Sequence, residues 1–250
     1  MKGFEIKICG LTRRSDVDAA VRSGATSLGF IFVPGKRLAS KSFAAEIAQA
    51  HPALDRVAVV QNLSNDEIFA LIQETSVTSL QLHGNETPEF VTRLRAELNF
   101  QPRFKSLKKS EINRDDQPAK QSSIRLIRAL DVDETLTRER LISWSEVVDV
   151  LLFDSPRFGA SREHARAPID VVRLAASLDI RLLKTKFWIA GGLDAQNVEV
   201  TLQHLHDRQL HPDGVDVSSG VECFPGMKDP KMLSDFIKNV KRARGESRAT

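Results

Sequence analysis

Lys7-Ile8-Cys9-Gly10 sets a thiol where a short apolar run gives way to a turn. If that run is a strand, Lys7 and Cys9 share one face and Ile6 and Ile8 the other. A charge and a nucleophilic sulfur then look the same way. A lone cysteine in such a place is otherwise a small core hydrophobe. A free thiol of pKa about 8.5 is only a few per cent thiolate at neutral pH, so a basic sulfur needs a cation, and Lys7 is in position to supply it. Lys7 also has a structural partner in view, Asp216 on the neighbouring strand of a closed barrel, and the two readings are compatible. A carboxylic acid, Asp154, ends another apolar run, Val148 to Asp154. One of these groups can give a proton and the other can take one. Two small-residue turns, Gly191-Gly192-Leu193-Asp194 and Ser218-Ser219-Gly220-Val221, offer backbone N–H groups to an anion. Together these residues point to acid–base chemistry on a phosphorylated ligand.

The elements that position them follow from a repeated pattern. Short apolar runs alternate with amphipathic ones, as in strand–helix units of a parallel sheet. Strands are expected at 5–9, 27–32, 56–61, 78–82, 124–130, 148–154, 187–190 and 214–217. Helices are expected at 15–23, 42–49, 65–74, from about 87, 136–143, 169–177, 195–206 and 232–241. Ser15 and Ser64 are candidate helix caps, and Pro88 suits a first helical turn, where its missing N–H costs nothing. Eight such pairs predict an α/β chain, a single (β/α)8 TIM barrel over 1–250, closed so that no edge strand is exposed. An open doubly wound sheet lacks its Gly-x-Gly-x-x-Gly turn after the first strand. The polar stretch 99–123 is an insertion between the fourth helix and the fifth strand, on the barrel face away from the site. Residues 244–250 are expected to be a disordered tail.

Composition narrows the class. A chain of 250 residues is long enough for one barrel, and its net charge of +3 is slight. With no Tyr at all, and its basic stretch confined to the C-terminal end, the chain is not expected to bind nucleic acid. No apolar run reaches the roughly 18 residues of a membrane span. Cys9 and Cys223 have no paired spacing, which predicts a reducing, cytoplasmic setting. His51, His204, His206 and His211 show no ligand spacing with a carboxylate, so no metal is expected.

The motifs, taken in order, resemble one family. Lys7-Ile8-Cys9-Gly10 is followed by Gly29-Phe30-Ile31-Phe32 with Lys36-Arg37. Next come Leu80-Gln81-Leu82-His83-Gly84-Asn85-Glu86, Leu151-Leu152-Phe153-Asp154 and Gly191-Gly192-Leu193. Last is Asp216-Val217-Ser218-Ser219-Gly220-Val221-Glu222, running on to Pro225-Gly226-Met227-Lys228-Asp229. This order resembles the phosphoribosylanthranilate isomerases of tryptophan biosynthesis. The resemblance implies a (β/α)8 barrel that performs an Amadori rearrangement of N-(5′-phosphoribosyl)anthranilate without metal or cofactor. It implies Cys9 as the general base at C2′ and Asp154 as the general acid at the ribose ring oxygen. Arg37 is implied at the anthranilate carboxylate, and Gly191, Gly192, Ser219 and Gly220 at the phosphate. His83 and Asp216 complete the expected substrate-binding set, His83 as support rather than as a proton-transfer group.

The expected partner is a small phosphorylated substrate, with the chain a monomer or homodimer. Cys223 is read as a filler thiol, the alternative being an approach to Cys9. One departure stands out: where the family carries a Gly-rich loop ending in Phe-Asp-Trp, residues 155–168 contain Gly159-Ala160-Ser161 and then Arg162-Glu163-His164-Ala165-Arg166. Fewer glycines restrict loop closure, and Arg157, Arg162 or Arg166 are alternative anion contacts. Two rival functions follow: a non-catalytic phosphate-binding barrel, and the related sugar-phosphate isomerase of histidine biosynthesis. The latter is expected to carry a carboxylate where Cys9 stands.

Overall fold

Strand and helix alternate from the first residues onward, and the strands close on themselves. The computed structural model describes residues 3–100, 124–155, 170, 183 and 185–246. The order is β1 (Glu5–Ile8), α1 (Arg14–Ser23), β2 (Ser27–Ile31), α2 (Lys41–Ala50), β3 (Asp55–Val60), α3 (Asn65–Thr75), β4 (Ser79–Leu82) and α4 (Pro88–Phe100). It continues with β5 (Arg125–Asp131), α5 (Arg138–Ser145), β6 (Val150–Asp154), β7 (Lys186–Ile189), α6 (Val198–Asp207) and β8 (Gly214–Val217). A short 3-10 turn (Ser219–Val221) leads into a hairpin, β9 (Glu222–Phe224) and β10 (Met227–Lys228), before α7 (Pro230–Ala243). β1 to β8 form a closed parallel barrel in chain order, and β1 pairs with both β2 and β8.

Parallel strands covered on both faces need apolar residues on both. Ile6, Ile8, Leu28, Phe30, Leu80, Leu82, Leu151, Phe153, Val215 and Val217 point outward into the layer beneath the helices. Val57, Ile127, Ala129, Val150, Leu152, Trp188 and Ala190 form a smaller cluster inside the barrel. At the N-terminal ends of the strands the interior turns polar. Arg125 donates from Nη1 to both oxygens of Glu5, from Nη2 to Asp55 and from Nε to Ser79 Oγ, with its guanidinium over the Trp188 ring at 4.9 Å. This layer plugs the end away from the site.

Local signals account for most helix boundaries. Ser64 and Glu67 form a reciprocal capping box on α3, Thr137 caps α5, and Asp229 caps α7, where Pro230 takes the first position. Ser15 is not a cap. α1 begins one residue earlier with Arg13 at its N-cap, and the Ser15 hydroxyl donates to Asp16 instead. Asn99 and Phe100 belong to α4, so the stretch read as an insertion is helical at its start. Its remaining residues, 101–123, lie outside the described residues, as does the helix expected at 169–177. At the C-terminal end, Gly245 and Glu246 donate back to Arg242 and Lys241, and Arg244 stacks on Phe4 at 4.1 Å. Those residues close the last helix, and 247–250 lie outside the described residues.

Candidate active site

The thiol of Cys9 stands one residue past β1, where its backbone N–H still continues the ladder to Val217 O at 2.8 Å. Strand alternation puts Lys7 directly beneath it, and the register of β1 with β8 sets Lys7 opposite Asp216. The Lys7 ammonium donates to Asp216 Oδ1 at 3.0 Å inside the barrel. The Asp216 pairing read from the sequence is thus present, with Lys7 one pleat below the Cys9 thiol. Burial pushes the thiol above its ordinary pKa, Lys7 and more weakly Lys228 pull it back, and Asp216 adds to the rise. Burial also disfavours the Lys7 ammonium, but Asp216 and Cys9 outweigh it and hold Lys7 above its usual value. Asp216 is pushed upward, first by burial and further by Asp154, against the pull of Lys7. The free chain thus favours Cys9 as a neutral thiol, with Lys7 the main group opposing the effect of burial.

Asp154 ends β6 at the same end of the barrel and is buried. Its Oδ1 accepts from the Ser155 N–H at 2.9 Å, and its Oδ2 lies 3.7 Å from His83 Nε2. His83 follows β4 directly; its backbone N–H donates to Val60 O, and its carbonyl accepts from the Gln61 amide. The next turn is braced by Glu86, which accepts from the N–H groups of Asn62 and Gly84 and pairs with buried Arg128 at 2.6 Å. His83 is therefore a supported neighbour of Asp154. A cavity of about 470 Å³ opens beside it, lined by His83, Glu86, Arg128, Asp131, Arg140 and Trp144 among others.

The two glycine turns meet. Gly191 and Gly192 both have positive φ, 80° and 61°, which an L side chain rarely adopts. A Cβ on Gly191 would sit 2.2 Å from Ser155 N, and one on Gly220 would sit 1.9 Å from Leu193 O. The turn after β7 is therefore packed against both the residue following Asp154 and the turn after β8. Ser219 and Gly220 lie in the 3-10 turn that leaves β8.

Arg37 lies in the connection after β2, with its Nε and Nη2 paired to Glu222 at 2.8 and 2.6 Å. Glu222 also accepts from buried Lys228 at 2.8 Å. Glu222 and Lys228 were not singled out as site residues by sequence reasoning. The Phe224-Pro225-Gly226-Met227 turn between them was the available signal, since Pro-Gly marks a reversal that brings its flanks together. Cys223, expected to be a filler thiol, is exposed on β9 with its sulfur 3.5 Å from Met227 O, whereas Cys9 is buried; both are free. The hairpin turns Cys223 outward because Glu222, its neighbour, points in. Arg157, Arg162 and Arg166 fall outside the described residues. Among the described residues no group of three or more His, Cys, Asp or Glu side chains gathers as a metal site, and no helix is long and apolar enough to cross a membrane.

Known proteins match this chain over nearly its whole length. The family model for N-(5′-phosphoribosyl)anthranilate (PRA) isomerase matches residues 6–121 and 107–239. An N-(5′-phosphoribosyl)anthranilate isomerase from Synechococcus sp. is 34% identical over 250 residues, covering 96% of this chain and 97% of that protein. One from Rhodopseudomonas palustris is 32% identical, covering 95% and 98%. Among solved structures, the phosphoribosyl anthranilate isomerase of Thermotoga maritima is 29% identical, with a TM-score of 0.72, covering 96% of this chain and 99% of that one. A phosphoribosyl anthranilate isomerase in complex with reduced 1-(o-carboxyphenylamino)-1-deoxyribulose 5-phosphate is 26% identical, with a TM-score of 0.69 and the same coverage. With its closed barrel, its thiol and carboxylic acid at one end and its paired glycine turns, this chain belongs to the N-(5′-phosphoribosyl)anthranilate isomerase family.

Proposed function

We propose that the protein is a phosphoribosylanthranilate isomerase of tryptophan biosynthesis, an aldose–ketose isomerase. It converts N-(5′-phosphoribosyl)anthranilate into 1-(2-carboxyphenylamino)-1-deoxyribulose 5-phosphate by general acid–base catalysis. The observation that carries this reading is the buried thiol of Cys9, over its Lys7–Asp216 pair, at the same barrel end as the buried carboxyl of Asp154.

In the first step Asp154 gives its proton to the ribose ring oxygen. The C1′–O4′ bond breaks and the anilino nitrogen supplies its electron pair, leaving a protonated Schiff base. That cation acidifies the neighbouring C2′–H. Cys9, as thiolate, takes the C2′ proton, and the electrons form the C1′=C2′ bond of an enolamine. Return of a proton to C1′ and loss of one from O2′ give the ketone. Lys7 stabilises the thiolate when it forms, so the thiol raised by burial is ionised at the moment the acidic C–H is presented.

The phosphate is assigned to Gly191, Gly192, Ser219 and Gly220, whose turns after β7 and β8 pack against each other and have backbone N–H groups to offer an anion. Arg37 is assigned to the anthranilate carboxylate, Asp216 to the base it supports through Lys7, and His83 to holding Asp154. Two free cysteines in a biosynthetic enzyme support a cytoplasmic setting.

The test is loss of substrate fluorescence on adding the full chain to freshly made phosphoribosylanthranilate. Cys9→Ala and Asp154→Ala are each expected to lower kcat by about 10²–10⁴-fold. Wild-type turnover by both variants would refute the assigned roles.

A further inference from the structure

Glu222 and Lys228 stand at the site with no part in the proton-transfer steps. They sit opposite each other across the β9–β10 hairpin. The buried Glu222 carboxylate is shared: it takes Nε and Nη2 of Arg37 on one side and the buried Lys228 ammonium on the other. Lys228 also donates to the Ser218 carbonyl at 3.0 Å, just past the strand that carries Asp216. Breaking a buried ion pair strands its partner's charge, so the three side chains act as a unit with one net positive charge.

A guanidinium offers two edges for bidentate pairing. Glu222 occupies the Nε–Nη2 edge of Arg37, and among the described residues Nη1 has no hydrogen-bond partner. The stem of Arg37 lies against Gly10, the residue after the thiol, where an added Cβ would come within 2.8 Å of Arg37 Cδ. A second carboxylate can therefore meet Arg37 in bidentate fashion only at its remaining Nη1–Nη2 edge.

We propose that Glu222 is a positioning residue of the isomerase, which presents the Nη1–Nη2 edge of Arg37 to the aryl carboxylate and limits the positive charge that Lys228 and Arg37 exert on the Cys9 sulfur. The inference rests on the isomerase reading for its substrate half. The charged groups acting on Cys9 are Lys7 from β1, Asp216 from β8, Lys228 from β10 and Arg37 from the connection after β2. The single Glu222 carboxylate offsets one of the last two charges and helps keep the buried Lys228 ammonium protonated. Removing its charge leaves the permanent cation of Arg37 without a counter-charge near the sulfur, which favours the thiolate.

The experiment compares wild type, Glu222→Gln, Glu222→Asp and Lys228→Met as full chains. It measures KM and kcat with phosphoribosylanthranilate, and titrates Cys9 by ultraviolet thiolate absorbance against a Cys9→Ala blank. Glu222→Gln is expected to raise KM about ten- to a hundredfold, the worth of one charge-assisted hydrogen bond, and to move thiolate formation to lower pH. Glu222→Asp keeps the charge but cannot span both partners, so KM rises while the titration stays in place. Lys228→Met moves the titration to higher pH. A chain merely loosened by these changes would lose stability without moving the titration in opposite directions. Wild-type KM in Glu222→Gln, or a thiol that titrates at or above the wild-type pH, overturns the inference. The titration needs no turnover: a titration lowered in Glu222→Gln while the wild type fails the isomerase assay refutes the proposed function and leaves the link from Glu222 to Cys9 standing.

Discussion

The ammonium of Lys7 and the carboxylate of Asp216, separated by 209 positions in the chain, meet at 3.0 Å beneath the Cys9 thiol. The pair sets the charge felt by the sulfur, and its two members pull in opposite directions. Lys7→Met is expected to strand Asp216, cost about 3–5 kcal/mol of stability and move the ascending limb of kcat/KM to higher pH. Asp216→Asn leaves Lys7 with only the thiol as partner and moves the same limb to lower pH. In the wild type the limb is expected on the alkaline side, because burial raises the thiol and kcat/KM reports the free enzyme. Initial rates across pH check all three, and shifts of the same sign in the two variants would reject this account of the pair.

His83 Nε2 stands 3.7 Å from Asp154 Oδ2 and is held by Gln61 through its carbonyl. His83→Ala is expected to lower kcat roughly tenfold, less than the 10²–10⁴-fold expected for loss of the acid itself. In the double variant His83→Ala/Asp154→Ala the two losses should not add, since the imidazole acts through the carboxyl. Additive losses in steady-state kinetics would give His83 an independent role.

Gly220 has no room for a Cβ against Leu193 O, and Gly191 combines positive φ with contact to Ser155 N. Ala at either position must displace the neighbouring turn, at a cost of about 1–3 kcal/mol. We expect a rise in KM for the phosphorylated substrate and weaker competitive inhibition by inorganic phosphate, measured in the same assay. An unchanged phosphate inhibition constant would move the phosphate away from these turns.

The opposite end of the barrel supplies a control. Arg125 ties Glu5, Asp55 and Ser79 into one layer, and these side chains keep some contact with solvent. Arg125→Met is expected to lower stability by about 2–3 kcal/mol in urea denaturation. The folded variant should keep the wild-type KM and pH limb, because this layer lies at the N-terminal strand ends.

How much of this could be read from the chain depends on whether the cause is local. The eight strands were legible because parallel strands buried on two faces must be apolar, and the caps at Ser64 and Asp229 border helices whose first N–H groups need an acceptor. Cys9 and Asp154 were legible because each ends such a run, and barrel closure sends strand ends to one face. Ser15 misled because a serine near a helix start marks a cap only if the helix begins immediately after it, and α1 begins at Arg14.

Sequence by itself thus determined the barrel and the end of it at which Cys9 and Asp154 stand, since strand period and chain order suffice for those. Only the tertiary structure decided that Glu222 joins Arg37 across 185 positions, that Lys228 is buried beside them, and that Cys223 faces outward. Those outcomes depend on how the β9–β10 hairpin folds over the barrel mouth and on which side chains share one buried charge. No local pattern encodes that, because a buried ion pair forms only where the fold brings its two halves out of water together.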